Sequence, residues 1–192
     1  MLSSMLATLR SLPRTVWLIG LISLINDAAS DMLYPLIPIY LASVLMAGPR
    51  VLGLIEGVAE ATASLLKLFS GVVFDRTRRA KPWIVFGYAL AGFVRPLIAL
   101  VSSWPALLCI RFADRIGKGL RSSPRDALLA ASVPETQRGL AFGLHRAMDN
   151  AGAVIGPLIA SLLLAAGVSL KGVFLWSIVP ALLCLGLSLA LK

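Results

Sequence analysis

Charge is scarce in this sequence: 14% of 192 residues are Asp, Glu, Lys or Arg, while 58% are hydrophobic. A soluble domain carries closer to a quarter charged residues, so a soluble globular fold is excluded as the simplest reading. The chain has one histidine and two cysteines, Cys109 and Cys184, too few for a metal cluster or a disulfide framework. Both cysteines fall inside apolar runs and read as small buried hydrophobes. The motifs of common soluble enzymes are missing too: there is no Walker A pattern, no H-E-x-x-H and no G-x-S-x-G. No cofactor is implied, and any transport would draw on an ion gradient. The first apolar run is too long for a cleavable signal and is interrupted by Asp27, Asp31, Pro35 and Pro38.

Long apolar stretches are abundant. Mean hydropathy is +0.89, and six segments approach the ~20 residues that cross a bilayer: 15–46, 51–74, 82–101, 104–123, 138–166 and 171–191. The expectation is an all-α polytopic membrane protein of six transmembrane helices, one domain over 1–192. The net charge of +9 is distributed in a way that argues against nucleic acid. Arg10 and Arg14 precede the first span. Arg76, Arg78, Arg79 and Lys81 lie between the second and third, Lys118, Arg121, Arg125 and Arg138 around the loop after the fourth, and Lys192 after the sixth. The alternate loops carry only Arg50 and Lys171. This asymmetry predicts both termini on the cytoplasmic side of the membrane.

The long connection 121–139 contains two helix-start patterns, Ser123-Pro124-Arg125-Asp126 and Ser132-Val133-Pro134-Glu135, each predicting a serine-capped surface turn. Small-residue pairs Gly53/Gly57, Gly139/Gly143 and Gly152/Gly156 predict close helix contacts in lipid.

Ten of the charges in the spans are read as intramembrane: Asp27, Asp31, Glu56, Glu60, Lys67, Arg95, Arg111, Asp114, Arg146 and Asp149. Exposed to lipid they would cost roughly 25–35 kcal/mol together, so they must face one another or water. At 1.5 Å per residue, Asp27, Asp31, Glu56, Glu60, Arg95, Arg111 and Asp149 all lie roughly 16–24 Å from the cytoplasmic end. Five helices thus contribute to one layer near the midplane, the signature of a central water-accessible site. Asp27 and Asp31 share a helix face and repel when both are ionised, which suits proton uptake. Asn26, Tyr34, Ser23 and Ser30 neighbour them. Glu56, Glu60 and Lys67 read equally well as an ion-pair stripe, Arg95 as a partner for an acid of the first span, and His145 as a structural neighbour of Asp149 and Arg146. Arg111 and Arg95 are the candidate clamps for an anionic solute, and Asp27 and Asp31 the candidate proton or ligand carboxylates.

Three segments resemble the N-terminal half of the major facilitator superfamily. GVVFDRTRR resembles the family's G-x-x-x-D-R-x-G-R-R loop through Gly71, Asp75, Arg76 and Arg79, with Arg78 in place of the second glycine. RFADRIGKG resembles R-F-x-x-G-x-G-x-G through Arg111, with Arg115 where glycine is usual. GAVIGP resembles the G-x-x-x-G-P motif of antiporters through Gly152, Gly156 and Pro157, followed by Ala160-Ser161 rather than a second glycine pair. The resemblance implies half of that fold, with helices one, two, four and five lining a cavity and alternating access against a second half. That half is not in this sequence, so the expectation is a homodimer or a separately encoded partner. Asp75 would latch onto the partner's fifth helix, with Arg79 and Asp114 pairing beside it. The expected activity is secondary transport of a small solute, proton-coupled through Asp27 and Asp31, and anion-selective if Arg111 and Arg95 are not neutralised by Asp27, Asp31 or Glu56. The rivals are a non-transporting membrane scaffold and one half of a heterodimeric exporter of amphiphiles. Lipid and a small molecule are the expected partners, with no nucleic acid.

Overall fold

The computed structural model describes residues 9, 11–77 and 79–191. Arg10, Arg78 and Lys192, which enter the charge and motif patterns above, lie outside the described residues.

Every regular element among the described residues is helical. The first apolar run forms α1 (Arg14–Leu33) and α2 (Leu36–Ser43), offset at Tyr34-Pro35 because proline has no N–H to continue the ladder. The second run forms α3 (Pro49–Thr77). The third forms α4 (Ala80–Val94) and then tightens into a 3-10 turn over Arg95–Leu100 that begins around Pro96. α5 (Trp104–Ala131) and α6 (Arg138–Ala165) are both 28 residues long, separated by a 3-10 turn over Glu135–Gln137. The last run forms α7 (Leu170–Trp176) and α8 (Ile178–Leu189).

Five stretches are long and apolar enough to cross a membrane: Arg14–Ser43, Pro49–Thr77, Ala80–Leu100, Glu135–Ala165 and Leu170–Leu189. α5 is equally long but too charged to count among them, since Arg111, Asp114, Arg115, Lys118, Arg121, Arg125 and Asp126 all lie on it. Its apolar residues are therefore not enough to hold it in lipid, and its charges need protein partners or water.

The serine caps expected between 121 and 139 do not form. α5 runs through Pro124 to Ala131, and Ser123 Oγ donates 2.7 Å to the Lys67 carbonyl of α3 instead of capping a new turn. Ser132 Oγ turns back to the Leu128 carbonyl at 2.6 Å, leaving the Glu135–Gln137 turn without a side-chain cap. Tertiary packing of α5 along α3 outweighs the local start signal, because bonding the Lys67 carbonyl holds two long helices together rather than one turn.

Three close crossings fix the bundle. A Cβ at Gly152 or Gly156 of α6 would strike the α1 backbone, 2.5 Å from the Ala28 carbonyl oxygen in the case of Gly156. Gly87 of α4 meets Gly117 of α5 in the same way, each Cβ 2.6 Å from the other's carbonyl oxygen, and Gly119 of α5 lies against Ala63 and Leu66 of α3. The bundle is thus α1 on α6 and α3 on α5, with α4 and α8 behind. Gly53, Gly57, Gly139 and Gly143 have nothing within 4 Å, so these predicted packing pairs make no helix contact within the chain.

Two apolar clusters occupy opposite ends. One gathers Leu33, Leu36, Ile37, Tyr40, Ile55, Ile98, Leu107 and Phe174. There Tyr40 meets Phe174 edge-to-face at 5.2 Å and donates 2.9 Å to the Val101 carbonyl. The other gathers Val16, Ile19, Ile22, Ile84, Tyr88, Leu129, Ala141 and Cys184. The polar layer lies between them.

Candidate functional site

The polar layer begins where α4 tightens. Arg95, buried at the start of the 3-10 turn, reaches across the bundle to both flanking modules. Its Nε lies 2.8 Å from Asp114 Oδ1 on α5, and its Nη1 donates 3.2 Å to the Asn26 carbonyl and 3.1 Å to Asn26 Oδ1 on α1. Asn26 in turn donates 2.8 Å to Asp27 Oδ1. Arg95 therefore neutralises an acid of the fourth span, and meets the first span through an amide rather than a carboxylate. Asp114 is 1% exposed. It belongs to this buried tie and does not pair with Arg79, which stands exposed immediately before α4.

Arg111, one turn before Asp114, grips Glu56 of α3 through three hydrogen bonds of 2.8 to 3.1 Å. Its other neighbour is Asp114 Oδ2 at 3.7 Å, and its guanidinium lies 5.9 Å from the centre of the Tyr34 ring. Arg115 extends the ladder to Glu60 at 3.5 Å, and Lys118 meets Glu60 at 3.9 Å. The acids of α3 thus form an inter-helix ladder with α5. The two arginines singled out as anion clamps, Arg95 and Arg111, are both held by carboxylates.

A cavity of about 460 Å³ opens beside this ladder, lined from α1, α3, α5 and α6 with Arg95 at its base. From α1 come Asn26, Asp27, Ser30, Asp31 and Tyr34, and from α3 Glu60 and Lys67. α6 contributes Arg146 and Asp149. Glu56, Arg111 and Asp114 lie outside it, at the closed seam between α3 and α5. The largest contribution comes from α5: Arg115, Lys118, Arg121, Ser122 and Arg125. Sequence reasoning read most of these as loop charge. The signal was present in their spacing, because 115, 118, 122 and 125 repeat on one helical face.

Asp27 has a different partner from the one its spacing suggested. It accepts from Asn26 and shares the cavity with Asp149 of α6, where the Gly152 crossing brings the two helices together. Asp149 is also approached by Arg146 Nη1 at 3.4 Å and by His145 Nε2 at 3.9 Å. His145 is buried and shares a 2.8 Å hydrogen bond with Ser23 Oγ, which Arg125 also reaches at 3.3 Å. Asp31 lines the cavity half-buried. Gly71, Asp75 and Arg76 occupy the last turns of α3, away from this layer; Gly71 lies against Ser123 of α5. Pro157 sits inside α6 one residue after the Gly156 crossing. Among the described residues, no group of three or more His, Cys, Asp or Glu could hold a metal ion.

The structure is thus a helical bundle with a charged cavity of about 460 Å³ between paired helices. The Major Facilitator Superfamily profile matches residues 19–192, and the chain belongs to that superfamily. It is 35% identical over 153 residues to an uncharacterised MFS-type transporter of Methanocaldococcus jannaschii, covering 80% of this chain and 38% of that protein. It is 36% identical over 131 residues to the multidrug resistance protein MdtH of Photorhabdus laumondii, covering 68% of this chain and 32% of that protein. The chain thus spans less than two fifths of the length of these relatives.

Proposed function

We propose that the chain is a six-helix unit of a proton-coupled secondary transporter for a small anionic solute. A second six-helix unit closes its cavity, most simply a second copy related by a two-fold axis along the membrane normal. The observation that supports the anionic class is the lining of the cavity. Seven basic side chains (Lys67, Arg95, Arg115, Lys118, Arg121, Arg125 and Arg146) line it with four acids, Asp27, Asp31, Glu60 and Asp149; Arg95 and Arg125 are paired with Asp114 and Asp126 outside the lining, which leaves a small basic excess. In a water-filled cleft with low-dielectric walls, such an excess draws anions in and repels cations. Lys67 forms no ion pair with any described residue, and Lys118 has only a 3.9 Å contact with the exposed Glu60, so their charge is available to a solute. Asp27, Asp31 and Asp149 supply the carboxylates for proton coupling.

A second reading comes from the relatives named multidrug resistance proteins. The same carboxylates would serve a proton-coupled exporter of cationic amphiphiles. Flux into proteoliposomes under an imposed pH gradient separates the two. The anionic reading expects gradient-driven movement of small carboxylates or phosphate, abolished by collapsing the gradient. Movement confined to amphiphilic cations would establish the exporter instead. Failure of every solute to move, in vesicles where the protein is folded, would leave the scaffold role expected of a non-transporting member.

A further inference from the structure

We propose that the pocket enclosed by the ends of α3 and α5 and the start of α4 binds an anionic phospholipid, its phosphate at Arg79 and Lys81 and its acyl chains along the outer face of α4. The site lies apart from the solute cavity and holds whichever solute is carried.

Basic residues at the end of a span by themselves only orient a protein in the membrane. Here the fold adds a concave site. α3 and α5 touch where Gly71 lies against Ser123. Beyond that contact α3 runs on to Thr77 and α5 runs through Pro124 to Ala131. α4 begins beside them at Ala80, and the three helix ends enclose a cavity of about 450 Å³. Phe74 of α3, Pro82 of α4, and Leu128 and Ala131 of α5 give it apolar walls, and Arg79 and Lys81, both exposed, complete the lining.

Three observations point to an anionic lipid. First, the two cations are unbalanced. None of the lining residues is acidic, and Asp126, next in sequence to the lining, is held by Arg125 at 3.0 Å. Arg79 and Lys81 therefore offer a phosphate group a forked donor and a point charge. Second, the apolar walls continue into the membrane. Pro82, Phe86 and Phe93 recur on one face of α4, and both phenylalanines are exposed. A free hydrated anion gains nothing from such walls, whereas a lipid places its acyl chains there and keeps its phosphate with the cations at the surface. Third, α4 stands behind the solute cavity, to which it contributes only Arg95. A second six-helix unit that closes that cavity leaves this pocket facing lipid. The pocket also lies at the end expected to face the cytoplasm, where the leaflet carries anionic headgroups that basic pockets between helices recognise.

The test is native mass spectrometry of the purified full chain released from detergent, titrated with phosphatidylglycerol or with phosphatidylcholine of the same acyl chains. Glycerophosphoglycerol serves as the headgroup without chains. The expected result is one phosphatidylglycerol held about twentyfold more tightly than phosphatidylcholine, from about fivefold for each cation near a membrane surface. Arg79→Gln and Lys81→Gln should each reduce that preference about fivefold, and the double variant should abolish it. Lys171→Gln, at the opposite end of the bundle, should leave it unchanged. Ala131→Trp fills the pocket from α5 without altering its charge and should also abolish the preference; the charge variants decide the matter if this one fails to fold. Equal affinity for the two lipids in the wild type overturns the proposal. So does a preference that survives the double charge variant, since it would come from the general positive charge of the chain. Displacement of phosphatidylglycerol by an equal concentration of glycerophosphoglycerol would show a site for a free anion and overturn the lipid as its occupant.

Discussion

Arg95 Nε stands 2.8 Å from Asp114 Oδ1, both side chains buried, at the point where α4 changes from α-helix to a 3-10 turn. The pair ties α4 to α5, and the remaining Arg95 bonds to Asn26 tie both to α1. The two modules that border the cavity, α1 with α6 and α3 with α5, thus share one buried cation. Removing that cation would leave Asp114 with Arg111 Nη1 at 3.7 Å as its nearest charge partner on the same helix.

Arg95→Gln is therefore expected to destabilise the bundle by about 3–5 kcal/mol, the usual result of stranding one member of a buried pair. Thermal unfolding in detergent measures it. The double variant Arg95→Met with Asp114→Leu should recover a large part of the loss, because it strands no charge. If the double variant is as unstable as the single one, the ion pair itself, and not the stranded acid, holds the modules.

The glycines divide into two classes with opposite forecasts. Gly156→Ala places a Cβ 2.5 Å from the Ala28 carbonyl oxygen and should cost about 1–3 kcal/mol by forcing α6 off α1. Gly53→Ala and Gly139→Ala meet nothing within 4 Å and should leave the stability of an isolated unit unchanged or slightly raised. Any loss of self-association caused by Gly53→Ala would mark that face as the contact with a second copy, read by cross-linking in membranes.

Lys67→Gln and Lys118→Gln are each expected to lower anion-driven flux by about fivefold, roughly 1 kcal/mol of lost attraction at partly exposed positions. Maximal rate should change less than apparent affinity, since neither residue belongs to a buried tie. Equal losses for cationic and anionic solutes would point to damaged folding instead, which unfolding curves would reveal.

Tyr40→Phe removes the 2.9 Å hydrogen bond to the Val101 carbonyl while keeping the edge-to-face contact with Phe174. The expected cost is about 1 kcal/mol, with no change in the pH dependence of transport. A change in that dependence would show that the apolar end of the bundle moves during the cycle.

The pH profile itself should have one sign. A carboxylate that carries the coupled proton is loaded at low pH and emptied as pH rises. Anion flux is accordingly expected to decline with rising pH in the wild type and to become flat in Asp27→Asn. Asp31→Asn should shift the profile without flattening it, because Asp31 acts on Asp27 only through space. Flux measured across a pH series with the gradient clamped checks all three.

The sequence by itself determined that this chain is helical and belongs in a membrane, because apolar runs of bilayer length leave few other ways to satisfy the backbone. Residue counting along each helix also gives the intramembrane charges similar expected depths. Local spacing could not assign their partners. Asp27 and Asp31 are neighbours on one helix, yet the same cavity also holds Asp149, 122 positions from Asp27 in sequence, because Gly152 and Gly156 bring α6 onto the α1 backbone. Arg95 sits beside a proline in the sequence, and only the change to a 3-10 turn aims it at Asp114 and Asn26 rather than at an acid of the first span. Pro124 marked a helix start that α5 passes through, because its packing along α3 supplies more than the local signal takes away. Periodicity reports which residues share a face of one helix. Which charges face each other is decided by the crossing of two helices, and that crossing is set by contacts remote in the chain.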